Sequence, residues 1–109
     1  MNTIETPKPT IYWREQFDEG SEFFTDVAIR ESDKILDRYI AALNLANSDT
    51  DIWKAIEKVV TAFDQLNVAH DYFIETMERE DLAEYIQKAA EAAGLFYEGD
   101  VTEEWRMEW

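Results

Sequence analysis

IWKAIEKVVTAFDQL, residues 52–66, carries the clearest periodic pattern in this 109-residue chain. Its apolar residues recur every three or four positions, at Ile52, Trp53, Ile56, Val59, Val60, Phe63 and Leu66. That spacing places them along one side of an α-helix. The polar residues 47–50 just before the stretch offer several N-cap candidates. The stretch therefore predicts an amphipathic helix that buries one face in a core.

Two further helices are predicted, one on each side of this stretch. The first begins with Ser21 as its N-cap and ends near Ala46, with apolar residues at Phe24, Val27, Ala28, Ile35, Leu36, Tyr39, Ile40 and Leu43. The other contains Leu82, Tyr85, Ile86, Ala89, Ala90 and Ala93. It stops at Gly94, a residue suited to a left-handed C-terminal cap, after which Leu95 can fold back on the last turn. Aromatic residues within these patterns are predicted to lie in the core, namely Phe24, Tyr39, Trp53, Phe63 and Tyr85.

The two ends of the chain are less regular. Residues 1–10 contain both prolines and no apolar period, which predicts a flexible or extended arm. Residues 11–19 fit either a short helix or an aromatic lead-in strand. Near the other end, Asp100 and Glu103 form a capping-box pattern, or Thr102 is the cap, and a short C-terminal helix is predicted. Residues 67–77 are compatible with a continued helix, a bend or a short extended segment.

Together these patterns predict one all-α domain over residues 11–109. The chain has three glycines, and no proline follows Pro9, so little interrupts long helices. We expect a small antiparallel bundle of three main helices with a short C-terminal helix. A short N-terminal helix joins them if residues 11–19 are helical.

The charge balance predicts a folded, strongly acidic surface. The chain has 25 Asp and Glu against 10 Lys and Arg, a formal net charge of -15, yet 46% of its residues are hydrophobic. That apolar content favours folding over disorder. The charge repels nucleic acid and anionic membranes and attracts basic protein surfaces. We therefore expect a basic protein partner, and neither nucleic acid nor membrane.

The absence of cysteine excludes disulfides, zinc thiolate sites and cysteine nucleophiles, and it favours a cytoplasmic location. The N-terminal residues lack the apolar centre of a signal peptide. No apolar run approaches the ~18 residues of a membrane span.

Many of the acidic residues have a structural explanation. Asp26 with Arg30 and Glu84 with Lys88 have the spacing of helix-surface ion pairs. Acids near predicted helix starts are favoured by the helix dipole. Three clusters remain uncompensated: Glu15, Asp18, Glu19 and Glu22; residues 75–84; and residues 98–108. We expect a partner to dock on the third of these, at Glu98, Asp100, Glu103, Glu104, Trp105, Glu108 and Trp109.

Motifs for catalysis are scarce. The chain has one histidine, His70, and no glycine-rich phosphate loop, dinucleotide fingerprint or zinc motif. One enzyme alternative is a helical magnesium-dependent nucleotide pyrophosphohydrolase, in which acids one turn apart on two helices hold the metal. Its candidate ligands are Glu75, Glu78 and Asp81 on one helix and Asp33 and Asp37 on another. Magnesium is expected under that alternative alone.

The leading hypothesis is a non-catalytic acidic interaction domain that binds, and in one version neutralises, a basic protein, as toxin-immunity proteins and nucleic-acid-mimicking inhibitors do. A third hypothesis is a structural homodimer. In that case Trp13, Trp105 and Trp109, which lie outside the main helices, form the seam. The simpler prediction for these tryptophans is that they plug the open ends of the bundle.

Overall fold

A computed structural model describes residues 7–22 and 24–109 of the chain. Over these residues the protein has four α-helices and no strand: α1 (Pro9–Asp18), α2 (Asp26–Leu45), α3 (Asp49–Ala69) and α4 (Thr76–Ala92). The all-α prediction is confirmed. Residues 11–18 belong to a helix, which excludes the alternative of a lead-in strand.

The helices α2 and α3 form the main hairpin and share the largest helix interface. The three residues that join them end at Ser48, whose side chain accepts a hydrogen bond of 3.2 Å from the Asp51 N–H. This is the N-cap predicted within residues 47–50. The predicted stripe of α3 is buried almost throughout, while Trp53 and Leu66 are partly buried.

The core lies where α2, α3 and α4 meet. Its most completely buried side chains include Leu36, Ile56, Phe63, Leu82 and Ile86. The buried Tyr39 hydroxyl donates a hydrogen bond of 2.8 Å to the Ile86 carbonyl, linking α2 to α4. This bond satisfies a polar atom that would otherwise destabilise the core.

The start of α2 differs from the prediction. Its N-cap is Thr25, whose hydroxyl accepts from the Ala28 N–H at 3.0 Å. The predicted cap, Ser21, instead belongs to the end of α1, where its N–H donates to the Gln16 carbonyl at 2.9 Å. Gly20, with φ of 101°, lets the chain close this Schellman motif. The Ser21 backbone therefore completes one helix and does not begin the next.

The segment between α3 and α4 bends sharply. Asp71 and Tyr72 both have left-handed backbone conformations, with φ of 61° and 56°. The buried Asn67 side chain secures the bend by accepting from the Ile74 N–H at 2.8 Å. A reciprocal capping box between Glu75 and Glu78 then begins α4.

The end of α4 has the predicted form. Gly94, with φ of 112°, donates to the Glu91 carbonyl, and Leu95 donates to the Ala90 carbonyl, both at 3.0 Å. These two bonds define a Schellman motif. Leu95 is buried, so it covers the last turn as expected.

Helix α1 covers α2 and the beginning of α4. It starts at Pro9, so Pro9 and Thr10 are helical and buried and do not belong to the predicted arm. Residues 1–6 of that arm lie outside the described residues. Trp13 anchors α1 by stacking on Phe24 with ring centroids 5.5 Å apart and by meeting the Phe73 ring edge-on at 5.9 Å.

The predicted C-terminal helix does not form; residues 101–105 make turns. Asp100 Oδ1 accepts from the Thr102 N–H at 2.8 Å, which closes a local turn in place of the capping box with Glu103. Beyond the turns, Asp64 on α3 accepts from the N–H groups of Met107 and Glu108 at 3.0 and 2.9 Å. These backbone donors are bound to α3 and cannot propagate a helix of their own.

Among the four helices of the described residues, none combines the length and apolar character that crossing a bilayer requires.

Candidate functional site

The candidate site is a surface groove between α1 and the first half of α4. It consists of two adjoining depressions with volumes of about 490 and 470 Å³ that share Gln16 and Met77 as lining residues. We call it the α1–α4 groove. Its described lining residues are Pro7, Pro9, Tyr12, Gln16, Phe24, Glu75, Thr76, Met77, Glu78, Asp81 and Glu84.

The groove presents apolar side chains to solvent from both of its helices. Tyr12 of α1 is 49% exposed and Met77 of α4 is 69% exposed. Pro7, which is also exposed, continues this surface ahead of α1. Proline is conformationally fixed, whereas methionine adapts to the shape of what it contacts. The groove can therefore receive an apolar side chain from another molecule.

Four carboxylates line the α4 side of the groove at three-residue intervals: Glu75, Glu78, Asp81 and Glu84. Residues three apart on a helix are neighbours, so the four form an oblique row that begins at the N-cap and winds around α4. The pair Glu75 and Glu78 has a structural role because it caps the helix. Asp81 and Glu84 lie beyond the first turn, where the dipole no longer favours negative charge.

The carboxylate row has no compensating cation. The lining residues that the structure describes include neither Lys nor Arg. The ion pairs between described residues use other acids, namely Asp26, Glu31, Asp33, Asp37 and Asp100. The predicted ion pair of Asp26 with Arg30 is present at 2.7 Å, whereas over the described chain no ion pair joins Glu84 to Lys88.

Burial and neighbouring acids perturb the Asp81 carboxyl. Partial burial, and then the charges of Glu84 and Glu80, raise the pKa of the Asp81 carboxyl above its ordinary value. Burial and like charge both disfavour the ionised form. The groove therefore has a negative field that a cation would relieve.

The first predicted cluster lies around the end of α1. Glu15, Asp18, Glu19 and Glu22 are exposed. Glu15 lines a separate depression between α1 and α2, and none of the four is among the described lining residues of the groove. The described groove therefore takes its acids from the cluster at residues 75–84.

The third cluster lies elsewhere, and its tryptophans are packing residues. Trp109 is 9% exposed, its ring meets Phe63 at 6.2 Å, and its Nε1 donates to the Val60 carbonyl at 3.3 Å. Trp105 packs on Trp53 with ring centroids 5.8 Å apart. Together with the buried Trp13, these rings fill the structure of a single chain, as the simpler prediction had it.

The exposed residues of this C-terminal region differ from the docking site that the sequence predicts. Asp100 pairs with Arg106 at 3.1 Å. Glu98, Glu103, Glu104 and Glu108 are exposed. Glu103 and Glu104 line a small depression together with Trp53 and Tyr97. Phe96, in the segment after α4, is 86% exposed. The sequence analysis missed Phe96. Its position just after the Gly94 cap, on a turn outside every apolar stripe, was the available signal.

The five candidate metal ligands do not form one site. Lys8 binds both Asp33 and Asp37, the former at 3.0 Å. Burial alone would lower the pKa of Lys8, but its hydrogen bonds to the two aspartates outweigh burial and raise it. Within residues 7–22 and 24–109, no three His, Cys, Asp or Glu side chains are arranged to hold a metal ion.

A third depression of about 350 Å³ lies between α1 and α2. It contains Arg14 and Arg30, both of which bind Asp26. On α2, Arg30 and Lys34 are thus both engaged in ion pairs.

The fold and groove together define an all-α domain with an uncompensated acidic groove. Comparison with known protein families, with characterised proteins and with solved structures gives no significant match.

Proposed function

We propose that this protein is a non-catalytic interaction domain that binds a basic protein partner through the α1–α4 groove. One observation carries the proposal: the groove combines four carboxylates with exposed apolar side chains and has, among its described lining residues, no cation. Opposite charge steers the encounter of two proteins, and apolar contacts then slow their separation. The groove combines both requirements.

Solubility alone does not account for the row of acids on α4. A soluble surface needs charge, but it needs neither a groove nor like charges at successive steps of one helical turn. Acids one turn apart on a helix repel each other and reduce its stability by about 0.2–0.5 kcal/mol per pair. The repulsion between Asp81 and Glu84 therefore favours a role in binding.

The other two hypotheses receive less support. The pyrophosphohydrolase alternative needs Asp33 and Asp37 free for a metal, whereas both bind Lys8. The homodimer hypothesis expects the peripheral tryptophans to be buried between two chains. Trp13 and Trp109 are instead buried within one chain. The buried Trp109 ring is also not accessible as an anchor for a partner at the C-terminal surface.

Two matched variants test the proposal. Asp81→Asn with Glu84→Gln removes two charges from the groove, and Glu103→Gln with Glu104→Gln removes two from the C-terminal surface. The immobilised wild-type protein and both variants are exposed to source lysate at ~0.05 M and ~0.5 M salt. We expect the wild type and the C-terminal variant to retain a basic protein at low salt, and the groove variant to lose it.

Two results would contradict the proposal. If no salt-sensitive basic protein is retained, the domain does not act through its charge. If the C-terminal variant alone loses the partner, docking occurs at residues 98–108 and the groove is not the binding site.

A further inference from the structure

We infer that a second, smaller site on this protein binds a trimethylammonium group, the cation carried by trimethyllysine and by choline. The site is the depression of about 180 Å³ lined by Trp53, Tyr97, Asp100, Val101, Glu103 and Glu104, which we call the Trp53–Tyr97 pocket. It shares no described lining residue with the α1–α4 groove. The inference therefore goes beyond the proposed function and does not depend on it.

Two aromatic rings form a corner of this pocket. The Trp53 and Tyr97 rings stand at 89° to each other with their centroids 5.0 Å apart, and the Trp53 ring also packs on Trp105. A small group placed in such a corner lies against the faces of both rings at once. Ring faces carry the negative part of the aromatic quadrupole and attract cations, Trp most strongly. The corner therefore favours a cation over a neutral group of the same size.

The Tyr97 wall of the pocket is fixed by its surroundings, although its side chain is 49% exposed. Gln87 on α4 donates from Nε2 to the Tyr97 carbonyl at 3.4 Å and accepts at Oε1 from the Val101 N–H at 3.1 Å. One side chain thus holds both ends of the loop. Within the loop, Gly99 has φ of 121°, and a Cβ there would lie 3.4 Å from a Tyr97 ring carbon. The ring therefore rests on backbone, and a preformed wall loses less entropy when a ligand binds.

Uncompensated carboxylates complete the pocket. Asp100 is already paired, since its Oδ2 accepts from Arg106 Nη2 at 3.1 Å. Glu103 and Glu104 are exposed and take part in none of the ion pairs between described residues. The described lining residues of the pocket include neither Lys nor Arg. The two glutamates therefore attract a cation, and the ring corner, which is independent of their charge, provides the contact surface.

The size and character of the pocket favour a methylated ammonium over a free one. A volume of about 180 Å³ is below the ~300–1,000 Å³ of pockets for drug-sized ligands, so the pocket fits a compact group. A primary ammonium is strongly hydrated and loses that water when it contacts an aromatic ring. Methyl groups replace its N–H donors and add apolar surface that packs on the rings. Trimethylammonium keeps the charge and reduces the cost of desolvation.

The test is a titration of the complete protein with two pairs of probes, followed by the indole N–H signals in proton–nitrogen NMR spectra. The first pair is a short peptide that contains one trimethyllysine and the same peptide with unmodified lysine. The second pair is choline and its neutral isostere, in which a tert-butyl group takes the place of trimethylammonium. The first pair separates methylation from charge, and the second separates charge from apolar shape.

We expect the trimethyllysine peptide and choline each to bind about fivefold or more tightly than the other member of the pair. Both should shift the indole signal of Trp53 and leave those of Trp13 and Trp109, which are buried away from this pocket, in place. Tighter binding of the trimethyllysine peptide than of choline would identify a methylated protein as the ligand. Equal affinities would identify a free small molecule with the same cation.

Variants assign the binding to the pocket. Tyr97→Leu keeps an apolar side chain and removes the ring, so it should weaken trimethylammonium binding about fivefold, and Tyr97→Phe should restore it. Glu103→Gln with Glu104→Gln should weaken binding at low salt and much less at ~0.5 M salt. The matched control, Asp18→Asn with Glu19→Gln, removes the same charge from the exposed end of α1 and should leave the affinity within about twofold.

Four results would overturn the inference. Equal binding of choline and its neutral isostere would indicate an apolar pocket without selectivity for cations. Equal binding of the two peptides would indicate attraction by net charge alone. An unchanged affinity in Tyr97→Leu, or no Trp53 shift with choline at millimolar concentration, would place any binding elsewhere. None of these results bears on the α1–α4 groove, whose own test depends on Asp81 and Glu84.

Discussion

Replacing Asn67 by Ala should destabilise the protein more than its small change in volume suggests. Asn67 is 1% exposed in the last turn of α3. Its Oδ1 accepts from the Ile74 N–H at 2.8 Å, and its Nδ2 donates to the Glu108 carbonyl. One side chain therefore holds both the bend before α4 and the C-terminal segment against α3.

The magnitude follows from the burial of the two partners. Without Asn67, the buried Ile74 N–H has no acceptor, at a cost of about 1–3 kcal/mol. The Glu108 carbonyl is only partly buried and can bind water, so its lost bond costs about 0.5–1.5 kcal/mol. We expect the free energy of unfolding to fall by about 2–4 kcal/mol in total, a large share of the ~5–15 kcal/mol of a typical domain.

Urea unfolding followed by far-UV circular dichroism measures this loss, provided the urea dependence of the free energy is unchanged. The control is Asn44→Ala, an exposed position of α2. Alanine favours helix there, so the control should change stability by less than about 0.5 kcal/mol. A loss below about 1 kcal/mol for Asn67→Ala, or a slowly exchanging Ile74 amide in that variant, would refute the reasoning.

Three other substitutions test separate parts of the structure. Gly94→Ala should cost about 1 kcal/mol in thermal unfolding, because beyond its chain neighbours nothing lies within 4 Å of the added Cβ and the strain comes from φ of 112°. Trp109→Ala should cost about 3 kcal/mol or more in urea unfolding, since it empties a buried aromatic site. Burial and the charges of Glu84 and Glu80 raise the pKa of Asp81, so the folded state binds its proton more tightly than the unfolded state. Asp81→Asn should therefore stabilise the protein at pH 7, and the gain should shrink as the pH falls toward the unfolded pKa of about 3.9, as urea unfolding at several pH values would reveal.

The regular helices were predictable because their signals are local. The stripe of residues 52–66 lies within α3 and faces the core, and Gly94 ends α4 as its conformational freedom indicated. These features depend on residues within one or two turns of each other.

The wrong predictions concern helix boundaries that depend on a choice between two possible caps or on residues distant in the chain. Ser21 and Thr25 are both good caps, and the choice between them is made by the Gln16 carbonyl, which binds the Ser21 N–H. The C-terminal helix is absent because Asp64, more than forty residues earlier in the chain, binds the Met107 N–H. A periodic pattern carries no information about such partners.

The acids of the candidate site could be recognised from the sequence, but their apolar neighbours could not. The three-residue spacing of Glu75, Glu78 and Asp81 places them one turn apart at the start of α4, and all three line the groove. That this part of α4 borders Tyr12 and the N-terminal prolines depends on how α1 lies across it. The packing follows from Trp13, whose partners Phe24 and Phe73 belong to two separate loops.

The attachment of the C-terminal segment to α3 also has a kinetic consequence. The α2–α3 hairpin closes over three residues, whereas the bond from Asn67 to Glu108 closes a loop of 41 residues and the one from Trp109 to Val60 a loop of 49. Long loops lose more chain entropy on closure, so we expect the hairpin to fold first and the segment to dock after the rate-limiting step. Asn67→Ala should then accelerate unfolding and leave the refolding rate nearly unchanged, which stopped-flow fluorescence would measure.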